Sequence, residues 1–154
     1  LQGWILAISV GVCSSLTGQL IEQAVNSLST VRFGRCAGEL FVSMRSCPAG
    51  QFELFAGLEG FLMNVGLGTS MAAASASLVF FFAPAASGSG IPEVKTILNG
   101  FVMPDVVSLR TLCVKVPGLA LSVSAGMALG KEGPLVHVAV CWAQLLSKIF
   151  PQFQ

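Results

Sequence analysis

The sequence predicts an all-α integral membrane protein. Three features carry that prediction: an apolar composition, two charge-free runs long enough to cross a bilayer, and two shorter apolar segments separated by glycine, proline and charge. Of the 154 residues, 54% are hydrophobic and 10% charged, and the mean hydropathy is +0.81. A soluble domain carries about 25% charged residues. One small core cannot hide such an apolar surplus, so the bilayer is the expected solvent, with membrane lipid as a partner. The net charge of +1, with no Lys/Arg-rich run, argues against nucleic acid as a partner.

The first run, residues 1–21, has no charge and reads as the first membrane helix, over 1–30. It lacks a basic leader and a clear small-residue cleavage site, so it does not read as a signal peptide. The chain starts at Leu1 and ends after Pro151 with no terminating signal, and both ends read as cut from a longer polypeptide. Residues 31–59 read as a mixed loop, with Arg32, Arg35 and Arg45 against Glu39, Glu53 and Glu59. Cys36 and Cys47 lie in it and would pair only if the loop faced an oxidising compartment. Cys13, Cys113 and Cys141 lie in apolar runs and read as buried free thiols. No CxxC or Cys/His spacing suits zinc, so no metal site is expected.

The second run, residues 60–92, holds 33 residues without a charge. One helix of that length would span about 50 Å, against a hydrocarbon core of about 30 Å. A long tilted helix over 60–86 is expected instead, ending near Ala83-Pro84-Ala85, with the chain turning inside the membrane. Gly66, Ser70, Ala74 and Ser77 form a small-residue stripe suited to close helix packing. The polar stretch 93–115 carries Lys95, Arg110 and Lys115, so it balances the three arginines of the first loop and leaves orientation undecided.

Residues 116–130 and 133–147 are apolar runs of only 15 residues each. They resemble discontinuous membrane helices, expected over 108–130 and 131–150. Broken helices at membrane depth are tolerated where the loose backbone is buried or lines a cavity, and in transporters they build the substrate site. No internal repeat is visible, and the chain reads as a single, incomplete domain.

Two motifs open these short helices. The first is Gly88-Ser89-Gly90-Ile91-Pro92-Glu93, a loop expected to enter a short helix over Ile91–Leu98, within a motif region of 87–100. Glycine lets the backbone approach a ligand closely. Proline in a first helical turn sacrifices no hydrogen bond. The exposed N–H groups and partial positive charge of such a helix start suit an anion, and the Ser89 hydroxyl adds one donor. The second motif, Gly130-Lys131-Glu132-Gly133-Pro134, has the same order of glycine, polar residues, glycine and proline. It places a carboxylate at a second helix start in the membrane, where an ionisable group is a functional candidate. Taken singly, the first motif also reads as an ordinary turn and the second as a short surface loop; together they point to anion transport.

Beyond this grammar, the first motif, extended through Val94-Lys95 and Leu98-Asn99-Gly100, resembles the first selectivity-filter signature of the CLC chloride channel and chloride–proton exchanger family. Gly130–Pro134 resembles the second signature in its Lys-containing eukaryotic form. Leu109-Arg110-Thr111-Leu112 and Lys115 between them are similar too, as are the order and separation of the motifs. The resemblance covers most of the chain and leaves residues 31–59 poorly constrained.

That resemblance implies a homodimeric, inverted-repeat fold of broken, tilted helices, of which this chain holds most of the first repeat, the N-terminal half only. Such a piece is too small to transport alone. It implies chloride as the bound ion, with no other cofactor, and chloride and protons as the transported partners. Gly88, Ser89, Gly90, Ile91 and Pro92 would form one half of the selectivity filter, and Gly130, Lys131, Glu132, Gly133 and Pro134 the other. Ser89, Gly90 and Ile91 would bind chloride. Glu132 would be the external gating and proton-transfer glutamate. Serine at position 89 is similar to the chloride-selective members; nitrate-preferring relatives carry proline there. Lys131 supports the local field or is simply solvated. Lys95 concentrates anions at the inner mouth or is a helix-end charge facing water. His137 reads as a packing histidine ahead of a proton relay.

Residues 130–140 are most similar to eukaryotic endosomal exchangers. Proton-coupled exchange is therefore favoured over a passive voltage-gated channel, in an endosomal, vacuolar or other intracellular membrane, with the plasma membrane as the alternative. A non-transporting membrane scaffold would use the small-residue stripe equally well but has no use for a carboxylate at a helix start. No Ser/His/Asp grouping or HExxH suggests an enzyme.

Overall fold

The computed structural model describes residues 2–33, 35–36, 39–40 and 57–149. Helix α1 spans Gln2–Phe33 and is followed by a two-residue antiparallel ladder, β1 Arg35–Cys36 with β2 Glu39–Leu40. Helix α2 spans Gly57–Phe82 and leads through a 3-10 turn, Pro84–Ala86, to α3, Ile91–Leu98. Helices α4, Leu109–Ser124, and α5, Glu132–Ser147, complete the described chain. Apart from the small ladder, the described residues form an all-α protein. The helix α1 runs past its expected end and takes in Arg32, so residues 31–33 are not loop. The Cys36–Cys47 pairing rests on Cys47, which lies outside the described residues.

Among the described residues, two stretches are long and apolar enough to cross a membrane, Gln2–Thr30 and Phe61–Phe82. Neither is the core helix of a soluble protein, because only 11% and 17% of their apolar windows are buried. On α1, Trp4, Ile8, Val12, Leu16 and Leu20 are all exposed, one per turn, and form a continuous outward apolar stripe. The hydroxyls of α1 do not spoil it. Ser9 donates to the Ile5 carbonyl at 2.8 Å, Thr17 to Cys13 at 2.8 Å and Thr30 to Asn26 at 2.8 Å. Each donor is satisfied inside its own helix, as a hydrocarbon environment requires.

Proline ends α2. Pro84 has no N–H to continue the ladder and pushes Ala83 out of helical geometry, to φ −154° and ψ 87°. The expected stop near Ala83-Pro84-Ala85 is therefore where the helix breaks. Helix α3 covers the residues that the glycine–proline grammar predicts. Helix α4 is capped by Ser108, whose hydroxyl accepts from the Thr111 N–H at 3.2 Å. It ends at Ser124, short of residue 130, because Gly126 turns the chain with φ 79°. At 16 residues each, α4 and α5 are about 24 Å long, shorter than a hydrocarbon core of about 30 Å.

Helix α4 is the hub: α2 and α1 pack on it, and α5 packs on both α4 and α1. The Ser75 hydroxyl of α2 donates to the Gly118 carbonyl of α4 at 2.8 Å. The face of α2 that meets α4 therefore carries Gly68, Met71 and Ser75, all buried. Gly66, Ser70, Ala74 and Ser77 point away and are exposed, so the expected packing stripe is not the one used within this chain. Of the thiols expected to be buried, Cys141 is, Cys13 is half-buried and Cys113 is exposed. Between α4 and α5 the core holds Leu112, Val138 and Cys141. The Trp142 indole of α5 donates to Thr17 of α1 at 3.0 Å.

Arg32 joins three helices. From the last turn of α1 its Nε donates to the Asn64 amide oxygen of α2 at 2.6 Å, and its Nη1 to the Ser124 carbonyl closing α4 at 3.2 Å. Gly126 makes room for it, since a Cβ there would strike Nη1 and lie 3.0 Å from Cζ. Gly126→Ala combines that clash with a left-handed backbone, and should destabilise by about 2 kcal/mol or more. The expected result is a clearly lower melting point of the detergent-solubilised protein by size-exclusion thermostability assay; an unchanged one would show that Arg32 does not hold these helices together.

Candidate anion-binding site

The 3-10 turn after α2 delivers the first motif. Gly88 and Gly90 take φ 68° and 78°, left-handed values that glycine adopts without strain. Gly90 caps α3, Pro92 lies in its first turn, and Glu93 contributes a carboxylate there. Ser89 is exposed, and its oxygen accepts a long bond, 3.4 Å, from the Ile91 N–H. A hydroxyl that accepts keeps its own hydrogen to donate elsewhere. Ile91 is 40% exposed at the head of α3, and Pro92 is exposed beside it. Like any helix start, this one carries backbone donors without intrahelical partners.

The second motif opens α5 in the same manner. Gly130 and Lys131 are exposed, Glu132 is the first, exposed residue of the helix, Gly133 is half-buried and Pro134 is buried. Lys131 forms an ion pair and hydrogen bond with Glu22 of α1. Both side chains are about half exposed, at 48% and 54%, so in water the pair would add little stability. It nevertheless draws the Lys131 ammonium towards α1, and Glu132 also acts electrostatically on Lys131.

The two motifs touch. A Cβ placed on Gly133 would lie 3.1 Å from the Ser89 Cβ and 3.1 Å from the Ile91 Cδ1. The backbone of one helix start therefore rests directly on the side chains of the other, with only a glycine hydrogen between. Beside this contact is a cavity of about 470 Å³. Gly88 and Ser89 line it from the first motif and Gly130 and Pro134 from the second, with α2 and α4 supplying the far wall. Glu132 is the motif carboxylate next to this contact rather than a wall of the cavity.

Lys115 also lines the cavity. Its side chain is 4% exposed and its ammonium donates to the Gly88 carbonyl at 3.0 Å. A buried cation thus pins the first motif from α4 and sets a positive field at the cavity. Glu93 reaches the same lysine electrostatically. The sequence marks Lys115 as the last charge of the polar stretch 93–115 and as part of the family resemblance, but not as a buried residue. Glu22 likewise appears there only as the charge that closes residues 1–21. Lys95 is exposed in the last turn of α3. His137 is fully buried, with Nε2 2.9 Å from the Val106 carbonyl.

The sequence model of a family described as voltage gated chloride channel matches residues 71–154, more than half of the chain and both motifs. The chain belongs to this family, the CLC family. Among curated relatives, H(+)/Cl(−) exchange transporter 3 of Homo sapiens and of Pongo abelii are each 35% identical over 177 residues, covering 99% of this chain and 22% of the relative. H(+)/Cl(−) exchange transporter 5 of Homo sapiens is 33% identical over 178 residues, with the same coverage. The chain thus spans about a fifth of the length of the relatives it matches. CLC membership also makes it a membrane protein, in agreement with its two apolar helices.

The contact between the motifs makes a specific demand on Gly133. Gly133→Ala inserts a methyl where the neighbouring Cβ cannot retreat without moving backbone, an overpacking of about 1 kcal/mol or more. Chloride affinity of the full-length CLC protein, measured by titration calorimetry, is expected to fall about fivefold. Unchanged affinity would mean that the contact does not set the spacing of the site.

Proposed function

We propose that this chain is the part of a proton-coupled chloride exchanger that supplies one side of its anion pathway. The observation that carries this reading is the direct contact of the two glycine-opened helix starts at Gly133, Ser89 and Ile91, beside a cavity lined by Gly88, Ser89, Gly130, Pro134 and Lys115. Two converging helix starts concentrate unpaired N–H groups and positive partial charge, which is what a small anion needs when it leaves water. The relatives, named as proton–chloride exchangers over 99% of this chain, support exchange over a passive channel.

In this mechanism Ser89 donates its hydroxyl hydrogen to chloride, and the backbone at Gly90 and Ile91 completes the shell. Gly88 and Pro92 shape the first loop, and Gly130, Lys131, Gly133 and Pro134 the second. Glu132 is the gate. Ionised, its carboxylate is attracted to the same helix starts as chloride and competes for the place; protonated, it loses that attraction and leaves. Competition of this kind couples proton binding to chloride binding without further machinery. Lys131, drawn to Glu22, leaves Glu132 free to move between the two states. The activity is transport rather than catalysis, carried out by a homodimeric, multi-pass protein of an endosomal, vacuolar or other intracellular membrane. The domain organisation is that of a partial CLC membrane domain, residues 1–154.

Glu132→Gln keeps the shape of the side chain and fixes it neutral. In proteoliposomes of the full-length protein under a chloride gradient, the variant is expected to pass chloride while proton movement falls to the level of empty vesicles. Proton pumping at the wild-type ratio would remove Glu132 from the mechanism. A wild-type protein that moves chloride without protons would make this a channel.

A further inference from the structure

His137 has none of its surface exposed, and α5 carries it in the turn after Glu132. Its Nε2 lies 2.9 Å from the Val106 carbonyl in the link between α3 and α4. A carbonyl only accepts, so Nε2 carries the hydrogen, and that bond holds the ring in one orientation. The other edge of the ring faces Gly90. A Cβ on Gly90 would overlap Nδ1 and lie 2.5 Å from Cγ and 2.7 Å from the His137 Cβ. The backbone of Gly90 is therefore pressed against a wall that cannot turn away without breaking the tie to Val106. Since Gly90 is the N-cap of α3, the wall decides where that helix start and the adjoining Ser89 lie.

A second observation points the same way. Nδ1 of His137 and Oε2 of Glu93 are buried side-chain atoms without a hydrogen-bond partner among the described residues. Glu93 from α3 and Lys115 from α4 both act electrostatically on the ring, and the Cys141 thiol lies 3.8 Å from the same Val106 carbonyl. An imidazole that served only to fill space would be replaceable by an apolar ring, which leaves no nitrogen unpaired. What the apolar ring lacks is the tie to Val106.

We propose that His137 is a positioning residue that sets the anion preference of the site, by holding Gly90 from behind against the fixed point at Val106. The inference rests on the reading that the loop at Ser89 binds chloride. His137 touches no anion itself and acts through the backbone of Gly90. When the wall is removed, the helix start relaxes into the vacated space, the Ser89 hydroxyl and the first N–H groups of α3 spread, and a larger, flatter anion fits better.

The test is the chloride-to-nitrate transport ratio of the full-length protein in proteoliposomes, with dimer elution as the check on folding. His137→Ala is expected to shift the ratio towards nitrate by about threefold or more, worth about 0.65 kcal/mol. His137→Gln, whose amide donates to Val106, is expected to restore a ratio near wild type. His137→Phe keeps the volume of the ring, which guards against loss of folding, but drops the tie; it is expected to shift the ratio in the direction of His137→Ala. A merely structural role would lower the flux of both anions together. Folded His137→Ala or His137→Phe protein with the wild-type ratio overturns this inference alone. Wild-type protein that carries no chloride overturns the underlying reading.

Discussion

A helix that starts inside a membrane leaves backbone donors with no water to accept them, and the whole arrangement follows from where those donors are directed. Two helix starts, at Ile91 and Glu132, are brought together here, and the proposed reading sets both at membrane depth. Side chains would keep them apart. Gly133 removes one at the contact with Ser89 and Ile91, and Gly90 removes another at the contact with His137. An unsatisfied donor in hydrocarbon costs several kcal/mol. Bringing two sets of such donors together therefore favours an acceptor at their meeting point, and in the proposed reading an anion is that acceptor.

The rest of the fold keeps that meeting point in place. Lys115 ties the first loop to α4 through the Gly88 carbonyl, while Ser75 and Gly118 lock α2 to the same helix. Helix α1 holds α5 through Trp142 and Thr17, and Lys131 through Glu22. Arg32 closes the far end by binding α2 and α4 at once. Each of these bonds joins elements distant in sequence, and those of Lys115 and Ser75 satisfy buried polar groups that would otherwise be costly at low dielectric. The short helices α4 and α5, at 16 residues each, are about 24 Å long, shorter than a hydrocarbon core of about 30 Å.

Local grammar was the legible part of this structure. The glycine and proline of the first motif mark the start of α3, and Pro84 marks the end of α2, because both act through backbone geometry within a few residues. Composition was equally legible in the exposed apolar stripe of α1. What the sequence could not supply was partner choice. Periodicity showed that α2 has a small-residue stripe at Gly66, Ser70, Ala74 and Ser77, yet the face that packs in this chain carries Ser75, whose hydroxyl finds the Gly118 carbonyl. The ion pair of Glu22 with Lys131 and the wall that His137 gives Gly90 are long-range contacts with no local signal. Lys115 was visible as a charge but not as a buried one.

The central claim is that the two glycine-opened helix starts share one anion. Bromide in place of chloride locates that anion directly, through its anomalous scattering in crystals of the full-length protein. The account predicts a bromide peak between the starts of α3 and α5, within hydrogen-bonding distance of the Ser89 hydroxyl. A bromide peak elsewhere, with none between these two helix starts, would contradict it.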